Sequence, residues 1–271
     1  MKKLIALLLA LVLVLSFAGC GAKEDTSSPD TSSGDNNANT ETAKIVTVTE
    51  GKLTMATNAY FQPYEYYDGD KIVGIDAEIA EAIAEKLGLE LVIEDMAFDS
   101  IITAVQEGSV DIGLAGMTVK PDRLEKVDFS ISYANGVQVV IVPENSSITT
   151  VDDLFADGAT YKAGVQLGTT GDAYASEDLG AERVTQYPNG NEAVNALLGG
   201  DVDCVIIDNE PAKSFVANNA GLKILETTYA DEDYAACIRK NNKALLDAVD
   251  AAIDELMEDG TIDGIIAKYI K

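Results

Sequence analysis

The chain has 271 residues, with 46 acidic side chains against 19 lysines and arginines and no histidine, for a formal charge of −27. A surface this acidic repels phosphate backbones, which excludes nucleic acid as a partner. The missing histidine excludes a Ser-His-Asp triad and any histidine-ligated zinc, and no metal or cofactor is expected.

Residues 1–20 read as an export leader. Lys2 and Lys3 precede an unbroken apolar run over 4–15, too short to span a bilayer comfortably, and the small residues Ala18 and Gly19 lead into Cys20. A cysteine placed there resembles a bacterial lipobox, with Phe17 standing where leucine is usual. That resemblance implies a lipid-modified Cys20 at the mature N-terminus; an ordinary secretory leader with an incidental cysteine is the alternative. Residues 21–44 carry no large apolar side chain, so they cannot offset the entropy of ordering and read as a flexible tether. The protein is then anchored to a membrane without spanning it.

From residue 52 onward strand-like and helix-like stretches alternate, which predicts a parallel-rich α/β class. A first strand falls at 53–56. An amphipathic helix follows over 76–87, with Ile79, Ala80, Ile83, Ala84 and Leu87 on one face and Gly88 at its end. A strand at 89–94 leads to a helix capped by Asp99 and carrying Ile101, Ile102 and Val105.

The segment 111–123, DIGLAGMTVKPDR, is the most informative. It reads as a buried strand (Ile112, Leu114) that opens into Gly116-Met117-Thr118 and starts a helix at Pro121, where no N–H is needed. Arg123 falls in that first turn, beyond the strand's carboxyl end, where open α/β sheets bind ligands. Its planar guanidinium can hold a carboxylate through two parallel hydrogen bonds; the plain alternative is an arginine on a solvated face.

Further strands are predicted near 162–165, 184–187, 202–207 and 222–225. Residues 164–171, GVQLGTTG, run a strand into a glycine-bracketed turn and a helix from about Asp172, whose free N–H groups make an anion site unless the stretch is a simple turn. No Gly-Lys-Ser/Thr follows, so it is not a phosphate loop. Asp208 ends an apolar strand and either caps the next helix or meets a ligand ammonium. Residues 104–116 and 196–208 echo one another, each a helix end, a glycine turn, a Val-Asp pair and a buried strand. Unless the echo is chance, it points to two lobes of like design facing across a cleft. Cys204 and Cys237 lie in apolar runs and read as small buried hydrophobes, with a disulfide as the alternative in an exported protein. Arginine and free N–H groups for a carboxylate, with aspartate and threonine for an ammonium, make a recogniser of zwitterions. Phe61 and Phe98 supply either its apolar walls or ordinary core.

Seven ordered segments carry a family resemblance: ATNAYFQPYEY (56–66), VGIDAEIAEAIAEKLG (73–88), FDSIITAVQEGSVDIGLAGMTVKPDR (98–123), VDFSISY (127–133), GVQLGTTGDAYA (164–175), DVDCVIID (201–208) and DGTIDGIIAKYI (259–270). Over residues 50–271 the chain resembles a family 3 solute-binding protein of an ABC-type amino-acid importer, in its Gram-positive lipoprotein form. The resemblance implies a two-lobed α/β fold, each lobe a mostly parallel sheet flanked by helices, joined by two crossing hinge strands near 134–137 and 230–234. Lobe 1 is then 45–134 plus 235–271 and lobe 2 is 135–234. Cys204 and Cys237 fall in different lobes, where a bridge would lock the hinge, so free thiols are expected.

Carried over by motif, Arg123 is the carboxylate ligand, helped by the Thr118 and Thr170 backbone N–H groups. The ammonium meets Asp208, the Thr118 hydroxyl and the Gly116 carbonyl. Phe61 and Phe98 sandwich the ligand side chain, with Asn58 and Gln166 near its tip. Relatives that bind lysine, arginine or histidine tend to carry an acid where this chain has Asn58, which favours a neutral polar ligand such as glutamine; Glu65 and Asp172 are the other sources of charge. The implied mechanism is hinge closure around the amino acid. A monomer on the extracellular face of the cytoplasmic membrane then delivers its cargo to a permease, with no chemistry on it. A chemosensory binding protein without transport and a cyclohexadienyl-type dehydratase are the alternatives.

Overall fold

In the computed structural model, residues 44–270 are described, and the alternation in the sequence becomes a curled mixed sheet flanked by helices. The leader with Cys20 and residues 21–43 of the tether lie outside the described residues.

Strand β1 (Lys52–Thr57) is buried except for Lys52 and leads into a small antiparallel sheet of β2 (Tyr60–Phe61), β3 (Glu65–Asp68) and β4 (Lys71–Val73). Helix α1 (Ile75–Leu87) buries the stripe Ile79, Ala80, Ile83 and Ala84 and stops at left-handed Gly88, whose N–H returns to Ala84 and Glu85. Truncating a fully buried isoleucine such as Ile83 to alanine costs about 2–5 kcal/mol. Strand β5 (Glu90–Asp95) lies parallel to β1. Helix α2 (Phe98–Glu107) buries Phe98, Ile101 and Val105. Its N-cap is Ala97, with no capping side chain, and Asp99 sits one residue into the first turn. The expected Asp99 cap is therefore corrected: its charge complements the helix dipole instead of bonding an end N–H.

Strand β6 (Ile112–Gly113) pairs parallel with β1, and α3 (Pro121–Leu124) is a single turn opened by Pro121. Strand β7 (Val127–Pro143) then runs through the middle of the molecule. Beyond it come β8 (Ala163–Gln166), α4 (Thr170–Leu179), β9 (Val184–Tyr187), α5 (Gly190–Gly199), β10 (Cys204–Asp208), α6 (Asn209–Asn218) and β11 (Leu222–Ile224). Strand β12 (Ala230–Arg239) returns antiparallel to β7, and α7 (Lys243–Glu258) and α8 (Thr261–Tyr269) close the chain.

The sheet order is β5-β1-β6-β12-β7-β10-β8-β9, with β11 also on β7. In this sheet the pairs within each half (β1 with β5 and β6, β8 with β9 and β10) are parallel, and its antiparallel pairs all involve β7 or β12. The two segments expected to cross pair with one another: Ala230 faces Gln138, Glu232 faces Gly136 and Tyr234 faces Ala134. Bulges beside Ala235 then bend β12 toward β6. Separate apolar clusters form around β8, α4 and β10 (Val165, Leu179, Ile206) and around α2 (Phe98, Ile101, Met117, Cys237). Cys204 and Cys237 are free and buried, on β10 and β12.

Candidate functional site

The loop after β6 is shaped by one glycine. Gly116 has φ +53, and a Cβ there would lie 2.7 Å from the Phe61 ring, so a side chain is excluded by both conformation and space. Its N–H donates to Asp76 Oδ2 at 2.7 Å. The chain then passes Thr118 and turns at Pro121, which brings Arg123 back under the loop. Arg123 is buried: Nη1 donates to the Thr118 carbonyl at 2.8 Å, Nη2 to the Gly168 carbonyl at 3.1 Å, and the guanidinium lies 5.5 Å from the Phe98 ring centroid. Two of its five N–H donors are used this way. Burial pulls its pKa down, opposed by Asp122 and Glu232.

Helix α4 approaches from the other half of the sheet. It begins at Thr170, two residues earlier than the sequence reading placed it, because Thr169 is the N-cap and accepts from the Asp172 N–H at 3.2 Å. The N–H groups of Thr170 and Gly171 have no intrahelical acceptor in such a first turn and are available to an anion. Asp172 is not part of this cavity: it accepts from Gly168 N and from Ser176 and Gln186 side chains, and it faces the outer cleft.

Asp208 closes β10 and is the N-cap residue of α6 without a capping bond. Its carboxyl accepts instead from the Tyr234 hydroxyl. Burial, then the nearby Glu232, pushes its pKa up to about 7. Asn58 Nδ2 donates to the Met96 carbonyl at 2.8 Å, and Asn58 Oδ1 accepts from Gln166 Nε2 at 2.9 Å.

These parts meet in one small pocket. Arg123, Thr118, Thr170, Asp208 and Gly116 line it, as do Asn58, Phe61, Phe98 and Gln166. All nine globular-domain residues singled out in the sequence are thus brought together. Thr169, Ala115 and Glu65 complete the lining. Glu65, weighed in the sequence only as another source of charge, is fully buried, and its carboxyl has only the Asp76 carboxyl as a partner. It lies against Asp76, whose Oδ2 also accepts from the Tyr133 hydroxyl at 2.9 Å. Burial raises Asp76 to about 6 despite the Gly116 N–H and Tyr133. Burial, then the Asp76 charge, raises Glu65 well above the carboxylate range.

The arrangement offers a guanidinium and free N–H groups to an anion, and several uncompensated carboxyls to cations. Among the described residues, no group of three or more His, Cys, Asp or Glu side chains has a metal-holding arrangement, and no helix is long and apolar enough to cross a membrane.

The family model for bacterial extracellular solute-binding proteins, family 3, matches residues 53–271. The arginine-binding extracellular protein ArtP of Bacillus subtilis is 30% identical over 278 residues, covering 99% of this chain and 98% of the relative. A probable histidine-binding protein of Neisseria gonorrhoeae is 30% identical over 276 residues, covering 99% and 96%. Among solved structures, an ancestral arginine-binding protein superposes with TM-scores of 0.76 bound to glutamine and 0.75 bound to arginine. Their identities are 37% and 38%, and each comparison covers 82% of this chain and 99% of that one. The two-lobed α/β fold, the cavity between strand ends and the match over 53–271 lead to one assignment: the chain belongs to the family 3 bacterial extracellular solute-binding proteins.

Proposed function

We propose that this protein is the lipid-anchored, extracellular binding component of an ABC-type importer, which closes on a free L-amino acid and hands it unchanged to a membrane permease. The observation that carries the reading is the lining of this pocket. Arg123, the start of α4 and Asp208, which has no cationic partner among the described residues, all line it. A zwitterion satisfies both charges, and charge-assisted bonds formed out of water are the strong ones.

Glutamine was the ligand suggested by Asn58. The Asn58 amide is engaged on both sides, with Met96 and Gln166, whereas the Glu65 carboxyl lines the cavity beside Asp76 with no cationic partner among the described residues. That favours a cationic side chain over a neutral amide, in line with the arginine and histidine named for the relatives. Titration calorimetry of the refolded, ligand-stripped protein against the twenty amino acids and cystine tests the proposal. Tight binding of arginine or lysine is the expected result. Preference for glutamine supports the neutral reading, and silence across the panel overturns the function. Turnover of prephenate or arogenate would replace it with an enzyme.

A further inference from the structure

One buried carboxylate in the crossing strands touches residues of both halves of the cavity. Glu232 lies on β12 opposite Gly136 of β7, with its side chain buried. Its Oε2 accepts from the Thr118 hydroxyl at 3.0 Å and from Gln138 Nε2 at 3.0 Å. The same Gln138 amide nitrogen also donates to Thr170 Oγ1 at 3.3 Å. Thr118 follows β6, Thr170 opens α4, and Gln138 and Glu232 sit on the two strands that join the halves.

A hydroxyl has one hydrogen and two lone pairs, so each of these bonds fixes what the threonine has left for a ligand. Thr118 spends its hydrogen on Glu232 and can only accept from whatever enters the cavity. Thr170 accepts from Gln138 and keeps its hydrogen to donate. Gln138 cannot turn over, because its carbonyl would then face the Glu232 oxygen instead of its amide hydrogens. Resting on the amino-acid reading above, we infer that Glu232 is a positioning residue that sets the polarity of the site: through Thr118 it presents an acceptor to the ligand ammonium, and through Gln138 and Thr170 a donor to the ligand carboxylate. Glu232 does this without touching the ligand, since it does not line the cavity.

The test is a double-mutant cycle read by titration calorimetry, with L-arginine as probe and L-glutamine and L-lysine in parallel, on the full chain. Glu232→Met, close in length and unable to accept strongly, should bind about 30-fold more weakly. Glu232→Gln, which keeps an acceptor at the same place, should stay within about tenfold of native. Thr118→Val alone should lose about tenfold. In the Thr118→Val background Glu232→Met should lose less than about fivefold more, because part of its effect runs through the missing hydroxyl. A purely structural Glu232 would lower the melting temperature without such coupling, so melting temperatures are recorded for each variant. Losses that multiply independently, or a folded Glu232→Met that binds like the native chain, overturn the polarity assignment alone. A native chain silent toward every amino acid overturns the underlying reading as well, and the two failures are told apart by the native titration.

Discussion

Replacing Glu65 by glutamine changes the floor of the cavity with almost no change in volume. In the empty site burial and Asp76 favour the protonated form of Glu65; a guanidinium arriving beside it favours the ionised form. A bond to a charged acceptor contributes about 1.5–3 kcal/mol, and each pKa unit by which the empty-site carboxyl stands above ambient pH takes back about 1.4 kcal/mol. The bond alone amounts to about 10- to 100-fold in affinity, so after that cost Glu65→Gln should lose less than about 100-fold in arginine affinity near neutral pH. Citrulline has the shape of arginine without the charge and should bind native and variant within about threefold of each other. Calorimetry in two buffers of different ionisation enthalpy adds a second readout. Arginine binding to the native protein releases protons, and citrulline binding, or arginine binding to the variant, releases fewer. Because the proton competes with the cation for Glu65, native affinity for arginine falls as pH falls, while that for citrulline is flatter. Equal arginine affinity in native and variant, or parallel loss of arginine and citrulline, would refute the assignment of Glu65 to the ligand's charge.

Arg123→Ala removes the buried cation of the cavity together with its bonds to Thr118 and Gly168. Binding of every amino acid should fall by more than about 100-fold with the circular dichroism spectrum retained, and near-native calorimetric affinity would remove Arg123 from the site. Acidification should stabilise the unliganded protein. Asp76 and Asp208 hold protons up to about 6 and about 7 in the fold, whereas unfolded aspartate releases its proton near 3.9, so stability is lost as pH rises between those values, on the order of several kcal/mol in all. The melting temperature should rise from pH 7.5 to 5.5, and a flat or falling trend would contradict these raised values. Burial pushes the Cys204 and Cys237 thiols up to about 12. Both should resist alkylation in the native protein and react on unfolding, as read by mass spectrometry of the two peptides; rapid native labelling of either would contradict its burial.

What was legible in the chain and what was not follows from how far apart the partners lie. Arg123, Thr118 and Gly116 share one short segment whose proline, glycine and apolar run fix their positions locally, and Thr170 and Asp208 sit at strand ends read the same way. Helix α1 was legible because its apolar stripe recurs at helical spacing and ends at Gly88. The start of α4 was misplaced by two residues because the glycine-bracketed turn was read through to Gly171, whereas Thr169 caps the helix inside it. Asp99 was misread for a related reason: an acid near a helix start serves the dipole as well as the cap. Glu65 was only an alternative source of charge, because EYYD looks like a half-exposed hairpin strand and nothing local reveals that its first residue is wholly buried. Glu232 was invisible as a site residue. It stands in ADEDY, expected only as a crossing strand, and its partners Thr118, Gln138 and Thr170 are dispersed through the chain. Only the antiparallel register of β12 on β7 carries it next to Gln138 and turns it inward. The residues that present groups to the ligand are thus set by short segments, and those that orient them are set by strand pairing. A substitution in the crossing strands should therefore alter affinity while leaving every motif of the cavity intact.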